Sequence, residues 1–240
     1  MEIIYLHHSG FAIHTNDIVI IIDYFEDSES EFRGIVHDKL LNQNTPLYVL
    51  SSHFHADHFN RQILEWKKQK DDIQYVFSHD IYKRRRIEKE AAVWLKKGEV
   101  YADNQLKITA FGSTDVGISF MIEVEGKTIF HAGDLNNWHW MDESPQEEWM
   151  RDEQNFLHEL TVIQEKYNRV DVALFPIDPR LGKEYMRGGK QFIHAIQTST
   201  FIPMHFWNDY AAANAFQEYA RLHRINAPEV HHRGQIFLDL

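Results

Sequence analysis

The chain has 240 residues, 43% of them apolar, which is enough for a sizeable core in one large α/β domain. Its net charge of −11 argues against broad binding to nucleic acids or anionic membranes, because lysine and arginine hold phosphate groups. Cysteine is absent, which excludes disulfides and thiolate metal sites and fits a reducing cytoplasm. The outstanding feature of the composition is its 16 histidines, which are spread along the chain.

The ends of the chain and its apolar runs bear on localisation. The N-terminal residues lack the basic segment, apolar segment and small-residue cleavage site of a signal peptide, and they are expected to form strands. No apolar run is long enough to predict a membrane span. We therefore expect a cytoplasmic protein.

In the first half of the chain, short β-branched runs bounded by turn residues predict strands, and helical spacing of apolar residues predicts helices. The strands are predicted at 2–6, 11–15, 17–23, 46–52 and 73–78, and the helices at 59–69 and 84–98. Gly98 is the expected C-terminal stop of the charged helix 84–98.

The second half repeats this mixture of strands and helices. Strands are predicted at 105–112, 117–126, 127–134, 170–177, 199–207 and 235–240, and helices at 145–167, 188–197 and 208–223. Interleaved strands and helices in each half favour two facing sheets with helices outside.

Residues 51–60, Ser-Ser-His-Phe-His-Ala-Asp-His-Phe-Asn, hold three histidines and an aspartate within six positions. Alternate residues of an extended segment point the same way, so His53 and His55 can share one cation. Asp57 and His58 lie past the turn and can face a second cation. Imidazole and carboxylate suit zinc, manganese or iron, so the loop predicts a metal site rather than an incidental polar loop.

The pattern His-X-His-X-Asp-His resembles the signature of the metallo-β-lactamase superfamily of hydrolases. The resemblance extends to "IFHAGD", which contains Asp134, and to "FIPMHF", which contains His205. "YLHHSGF" and "IIID" are similar to the opening strands of the family, and the landmarks follow the family's order along nearly the whole chain. The opening and the late strand are most similar to the branch that contains the L-ascorbate-6-phosphate lactonase.

The resemblance implies a four-layer αβ/βα sandwich, formed here by a single hydrolase domain over residues 1–240. It also implies one or two divalent transition metal ions, with zinc or manganese expected. His53 and His55 would hold the first metal, and Asp134 would bridge. Asp57, His58 and His205 would hold the second metal.

The chain departs from the family at one expected histidine between the opening loop and Asp134. Ser113, Thr114 and Asp115 stand where that histidine is expected, and Asp115 is the leading substitute ligand. His139 is a weaker candidate. His131 lies three residues before Asp134 on one strand, so it tends to face the other way and could support a ligand from behind.

His8 and Asp23 are also candidates. A histidine in the first turn and an aspartate after a run of isoleucines are costly unless their polar atoms are satisfied. Both could lie near the metals and orient ligands. Ordinary hydrogen bonding at a turn and a strand end is the alternative.

Two segments are candidates for contact with substrate. The loop 176–190 carries Asp178, Arg180 and Arg187, which could line a mouth that attracts an anion; Lys183 and Lys190 add charge, and Gly188 and Gly189 allow close backbone approach. A solvated charged loop is the alternative. The aromatic residues are Trp138, Trp140 and Trp149, which could form a pocket wall or pack on the following helix.

These observations favour metal-dependent hydrolysis, in which metal-bound hydroxide attacks an ester, lactone or phosphoester of a small anionic substrate. Asp57 or Asp134 could accept a proton during the attack. The alternatives are a nuclease or phosphodiesterase of the same superfamily, or a non-catalytic metal-binding protein that acts by interaction. We expect no nucleic-acid or membrane partner, and a homo-oligomer is compatible with the sequence.

Overall fold

The structure, a computed structural model, describes residues 1–29, 32–85 and 87–238. The strands are β1 (Glu2–Tyr5), β2 (Phe11–His14), β3 (Val19–Ile22), β4 (Leu47–Ser51), β5 (Ile73–Ser78), β6 (Val93–Leu95), β7 (Val100–Ala102), β8 (Leu106–Phe111), β9 (Ser119–Val124), β10 (Lys127–His131), β11 (Arg169–Pro176), β12 (Gln197–Met204) and β13 (Ile236–Leu238). The α-helices are α1 (Ile35–Asp38), α2 (His79–Arg85), α3 (Gln146–Gln164), α4 (Arg187–Ala195), α5 (Tyr210–Asn214) and α6 (Phe216–Leu222).

The strands form two mixed sheets. The first has the order β13-β1-β2-β3-β4-β5-β6, and the second has the order β12-β11-β10-β9-β8-β7. Within them, β3, β4, β5 and β6 run parallel, as do β10, β11 and β12. The predicted α/β sandwich of two sheets with helices outside is therefore confirmed.

The core follows from alternation along strands that are buried on both faces. In β3, Ile20 and Ile22 belong to the core that the two sheets share, whereas Val19 and Ile21 face a second apolar cluster on the outer side of the first sheet. The isoleucine run of this strand thus contributes to both layers.

One edge of the sandwich collects the ends of the parallel strands. The loops that follow β3, β4, β10, β11 and β12 all leave the sheets at carboxyl ends, where side chains from separate strands can meet. Backbone hydrogen bonds join the two sheets there, from Ile118 N to Ser52 O (3.0 Å) and from His205 N to His8 O (3.1 Å). The histidine loop lies at this edge.

The predicted helix at 84–98 is wrong, although residue 86 lies outside the described residues. The segment contains the end of α2, a 3₁₀ turn at Lys89–Ala91 and strand β6. Val93 and Trp94 pair with Val76 and Phe77 of β5, so sheet extension outweighs the helix propensity of the charged neighbours. Gly98, at φ 88°, lies in the turn to β7 rather than at a helix end.

Smaller differences concern element boundaries. The predicted helix at 59–69 is a 3₁₀ helix, Arg61–Lys68, and the predicted helix at 208–223 is divided into α5 and α6. The short edge strand β7 was not predicted, and residues 239–240 of the last predicted strand lie outside the described residues. None of the helices in the described residues has both the length and the apolar character to cross a bilayer.

The packing of α4 on the second sheet gives a stability prediction. Phe192 is fully buried between Phe130 and Phe175, with ring centroids at 5.1 and 4.8 Å. Phe192→Ala should lower the free energy of unfolding by about 3–5 kcal/mol in urea denaturation, because it leaves a cavity. Leu157→Ala on α3, at a side chain that is 41% exposed, is the control and should change it by less than about 1 kcal/mol.

Candidate metal centre

The buried Asp134 carboxylate lies at the middle of the histidine cluster. Its Oδ2 is 3.3 Å from Nε2 of His53, and its Oδ1 is 3.1 Å from Nε2 of His58 and 3.2 Å from Nε2 of His205. The histidines come from the loops after β4 and β12, and Asp134 follows β10. Residues far apart in the sequence therefore converge on one carboxylate at the strand ends.

Asp23 fixes two of these histidines from behind. Its Oδ2 accepts hydrogen bonds from His58 Nδ1 and from the Ser52 hydroxyl, both at 2.7 Å. Since the Ser52 hydroxyl donates to Asp23, its oxygen accepts from His53 Nδ1 at 2.9 Å. Both imidazoles thus carry a proton on Nδ1 and turn Nε2 towards Asp134, and His53 Nε2 also lies 3.0 Å from His55 Nδ1.

Asp178 orients the ring of His205 in the same way, by accepting a hydrogen bond from its Nδ1. It is fully buried and accepts from His205 Nδ1 at 2.9 Å, while Arg180 Nε donates to both of its oxygens at 3.0 Å. Burial opposes ionisation of Asp178, but the hydrogen bonds from His205 and Arg180 prevail and lower its pKa to about 2. Asp178, which was predicted to contact substrate, is thus fully buried behind His205 and does not line the cavity.

The electrostatics around Asp134 require positive charge. Burial opposes its ionisation, but His58 and His205 outweigh that effect and hold its pKa well below the usual range. Burial likewise opposes the charged form of His205, yet Asp134 raises the pKa of His205 to about 9. Three imidazole lone pairs facing a carboxylate need a proton or a cation between them, and metal ions are the cations that suit these donors.

The donors fall into two groups of four, and within each group the candidate ligand atoms all lie within 4.8 Å of one another. The inner group is His8, Asp57, His58 and His205. The outer group is His53, His55, Asp115 and Asp134. Since Asp134 also presents Oδ1 to His58 and His205, its two oxygens face the two groups, as a bridging carboxylate requires.

Asp115, the predicted substitute for the missing histidine, belongs to the outer group. Its Oδ2 is 3.6 Å from His55 Nδ1, and both side chains are about two-fifths exposed. The neighbouring Thr114 fixes this loop, since its hydroxyl donates to Asn136 O at 2.5 Å and accepts from Asn136 N at 3.0 Å. Ser113, the other candidate, instead accepts a hydrogen bond from Asp115 N and belongs to neither group.

His131 and His139 are both buried away from the two groups. Gly133 N donates to Nδ1 of His131, whose Nε2 bonds to Ser9 O at 2.8 Å. Met141 N donates to Nδ1 of His139, whose Nε2 bonds to Glu184 O at 3.2 Å. Both nitrogens of each ring are engaged, so the structure does not place these histidines as ligands.

A cavity of about 420 Å³ opens over the donor groups. Its lining includes donors of both groups. It also includes Trp138, Trp140, Asp152, Asn155 and Arg180. The two tryptophan rings are nearly parallel, at 16°, and Trp138 lies 5.3 Å from the His205 ring. Trp149 does not line this cavity.

Arg187 and Gly188 of the loop 176–190 contact other parts of the protein rather than the cavity. Arg187, which was predicted to contact substrate, donates to Glu153 at 2.7 and 3.2 Å and is absent from the cavity lining. A Cβ on Gly188 would lie 1.9 Å from Asn136 Oδ1, so this glycine permits contact with a protein loop rather than with an anion. Only Arg180 of the three predicted contacts borders the cavity.

Ser52, Asp152 and Asn155 were not singled out in the sequence. Ser52 stands directly before His53 at the end of a predicted strand, and this position was the available signal for a residue that supports the ligands. Asp152 and Asn155 lie on α3, three residues apart, and share one helix face. Nothing in the sequence connects that face to the cavity.

The facing mixed sheets and the donor cluster at their strand ends together define the metallo-β-lactamase fold. Residues 2–147 match the family model described as the beta-lactamase superfamily domain. The match covers more than half of the chain, which therefore belongs to this superfamily.

The chain is similar to two proteins named UPF0173 metal-dependent hydrolase. The one from Desulforamulus reducens is 24% identical over 222 residues, which cover 86% of this chain and 84% of that protein. The one from Bacillus cereus strain AH187 is 24% identical over 228 residues, which cover 86% of both.

Solved structures share the fold at low identity. Igni18, a metallo hydrolase from Ignicoccus hospitalis, superposes with a TM-score of 0.68 at 20% identity, covering 98% of this chain and 97% of that one. CmlA, a diiron beta-hydroxylase from Streptomyces venezuelae, superposes with a TM-score of 0.67 at 11% identity, covering 98% and 53%.

Asp23 supports His58 directly and His53 through Ser52, and this gives a prediction on metal affinity. Asp23→Asn should weaken zinc binding by about 10–100-fold in a chelator competition assay, because the imidazoles lose the acceptor that orients them. Asp17→Asn, at an exposed loop position, is the control. An unchanged zinc affinity in the Asp23 variant would show that this aspartate does not support the centre.

Proposed function

We propose that the chain is a metal-dependent hydrolase that acts on a small anionic ester, lactone or phosphoester. The observation that carries the proposal is the pair of four-donor groups on either side of Asp134, at the floor of one cavity. Two divalent cations held there would supply a nucleophilic water near neutral pH and polarise the scissile oxygen. Zinc and manganese suit donors that are only imidazoles and carboxylates.

The protein's own residues have separable roles in this proposal. Asp134 is the bridging ligand, and the two donor groups hold the cations. Asp57 is half-buried and lines the cavity, so it can both bind a cation and accept a proton during attack. Asp23 and Asp178 keep the protons of the imidazoles on Nδ1, which leaves Nε2 free to bind.

Arg180 supports the choice of an anionic substrate. One edge of its guanidinium is bound to Asp178, and the group also borders the cavity, with about half of its side chain exposed. Arginine presents several donors in one plane, so it can hold Asp178 and a substrate carboxylate or phosphate together. A cavity of about 420 Å³ suits a small molecule rather than a polymer.

The proposal predicts a hydrolytic activity that depends on metal. A panel of a lactone, a carboxylic ester and a phosphodiester, assayed with zinc and with manganese, should contain at least one substrate of the untreated protein. Removing the metal with a chelator should lower that rate by more than about 100-fold, and adding metal should restore it. Activity that survives removal of the metal, shown by elemental analysis, would contradict the proposal.

The bridging position predicts that Asp134 matters more for metal content than any single histidine. Asp134→Ala should lose metal from both halves of the centre, whereas His205→Ala should lose it mainly from the inner group. Elemental analysis of the two purified variants beside the wild type measures this difference. An Asp134 variant that keeps its full metal content would show that the carboxylate does not bridge.

A further inference from the structure

His8 has a backbone that is fixed in an unfavourable conformation. It lies in the turn between β1 and β2 at φ 57°, in the left-handed region that side chains other than glycine seldom adopt. Its N–H donates to the Tyr5 hydroxyl at 3.0 Å, and its carbonyl accepts from His205 N at 3.1 Å. These hydrogen bonds join the turn to the backbone of His205, a candidate ligand. They also fix the orientation of the His8 ring.

The ring of His8 is fully buried, yet neither of its nitrogens has a hydrogen-bond partner among the described residues. Nε2 lies 3.4 Å from Asp57 Oδ2, and the ring centroid is 4.0 Å from His205 and 4.2 Å from Trp207. Leaving a buried polar group unsatisfied destabilises the fold, so such a group needs an explanation. A cation shared with Asp57 would satisfy Nε2.

The two donor groups differ in chemistry once His8 is counted. The inner group has three imidazoles and one carboxylate, and all three of its histidines are buried. The outer group has two imidazoles and two carboxylates, and both His55 and Asp115 are about two-fifths exposed. Imidazole suits zinc, whereas carboxylate oxygens suit manganese and magnesium.

We infer that His8 is a direct metal ligand, and that it makes the inner group a tight zinc site beside a weaker outer site that accepts a harder ion. The inference rests on the proposed metal centre but not on hydrolysis. Its test therefore measures metal binding, and a protein that binds metal as described but hydrolyses nothing would contradict the proposed function alone.

The first experiment compares zinc binding by full-length, metal-free wild type, His8→Gln and His139→Gln. The last is a matched control, because His139 is also a buried histidine but both of its nitrogens are engaged elsewhere. Competition with a zinc chelator should show the tight event weakened by at least about 100-fold in His8→Gln only. An equal zinc affinity in wild type and His8→Gln would overturn the inference.

The second experiment separates a ligand from a residue that merely orients one. In the cobalt-substituted wild type and His8→Gln proteins, loss of a direct ligand should change the position and intensity of the visible d–d bands. A spectrum that keeps its shape while affinity falls would mean that His8 acts only by positioning Asp57, which would overturn its assignment as a ligand.

The third experiment needs no variant, so it holds even if His8→Gln fails to fold. Crystals of wild-type protein supplied with equal zinc and manganese should show zinc anomalous density in the inner group and manganese in the outer group. His8 Nε2 should lie about 2.0–2.1 Å from the zinc. An inner ion beyond bonding distance of His8, or mixed metals in both groups, would overturn the inference.

Discussion

The structure depends on one electrostatic conflict, between a buried carboxylate and three imidazoles whose protons point away from it. Asp23, Ser52 and Asp178 hold Nδ1–H on the three rings, so every Nε2 faces Asp134 and can bind either a proton or a cation there. The distances of 3.1–3.3 Å leave repulsion unless positive charge enters between them. The parallel strands of the two sheets serve to deliver these groups to one edge, and the binding of cations there removes the conflict.

Backbone strain is concentrated at that same edge. His8, Asp23 and His205 adopt left-handed conformations, at φ 57°, 47° and 63°, each of which costs on the order of 1 kcal/mol for a residue with a side chain. The core between the sheets can bear this cost because its strands are apolar on both faces. Close packing limits any relaxation, since a Cβ on Gly117 would lie 2.1 Å from Ser52 O. The backbone around the site is thus both strained and closely packed.

How much of the fold and of the site could be predicted from the sequence depends on whether the residues behind each signal are neighbours in the chain. The strands and the histidine loop were readable because period-two alternation and close spacing are properties of contiguous residues. Asp178 was predicted to contact substrate because its neighbours in the sequence are basic, whereas its hydrogen bond with His205 joins residues that are far apart in the chain. The helix predicted at 84–98 failed for the same reason, because the pairing of β6 with β5 is invisible locally. The inner and outer groups likewise required the fold, which alone brings His8 to Asp57.

The two donor groups lie at different depths in the cavity. The histidines of the inner group are buried, whereas His55 and Asp115 of the outer group stand at the mouth, about two-fifths exposed. Trp138 packs against His205, and both side chains line the cavity. A molecule that enters therefore meets the outer group first, with the guanidinium of Arg180 within the same lining. The predicted substitute ligand Asp115 thus belongs to the exposed group, while the buried group has three imidazoles.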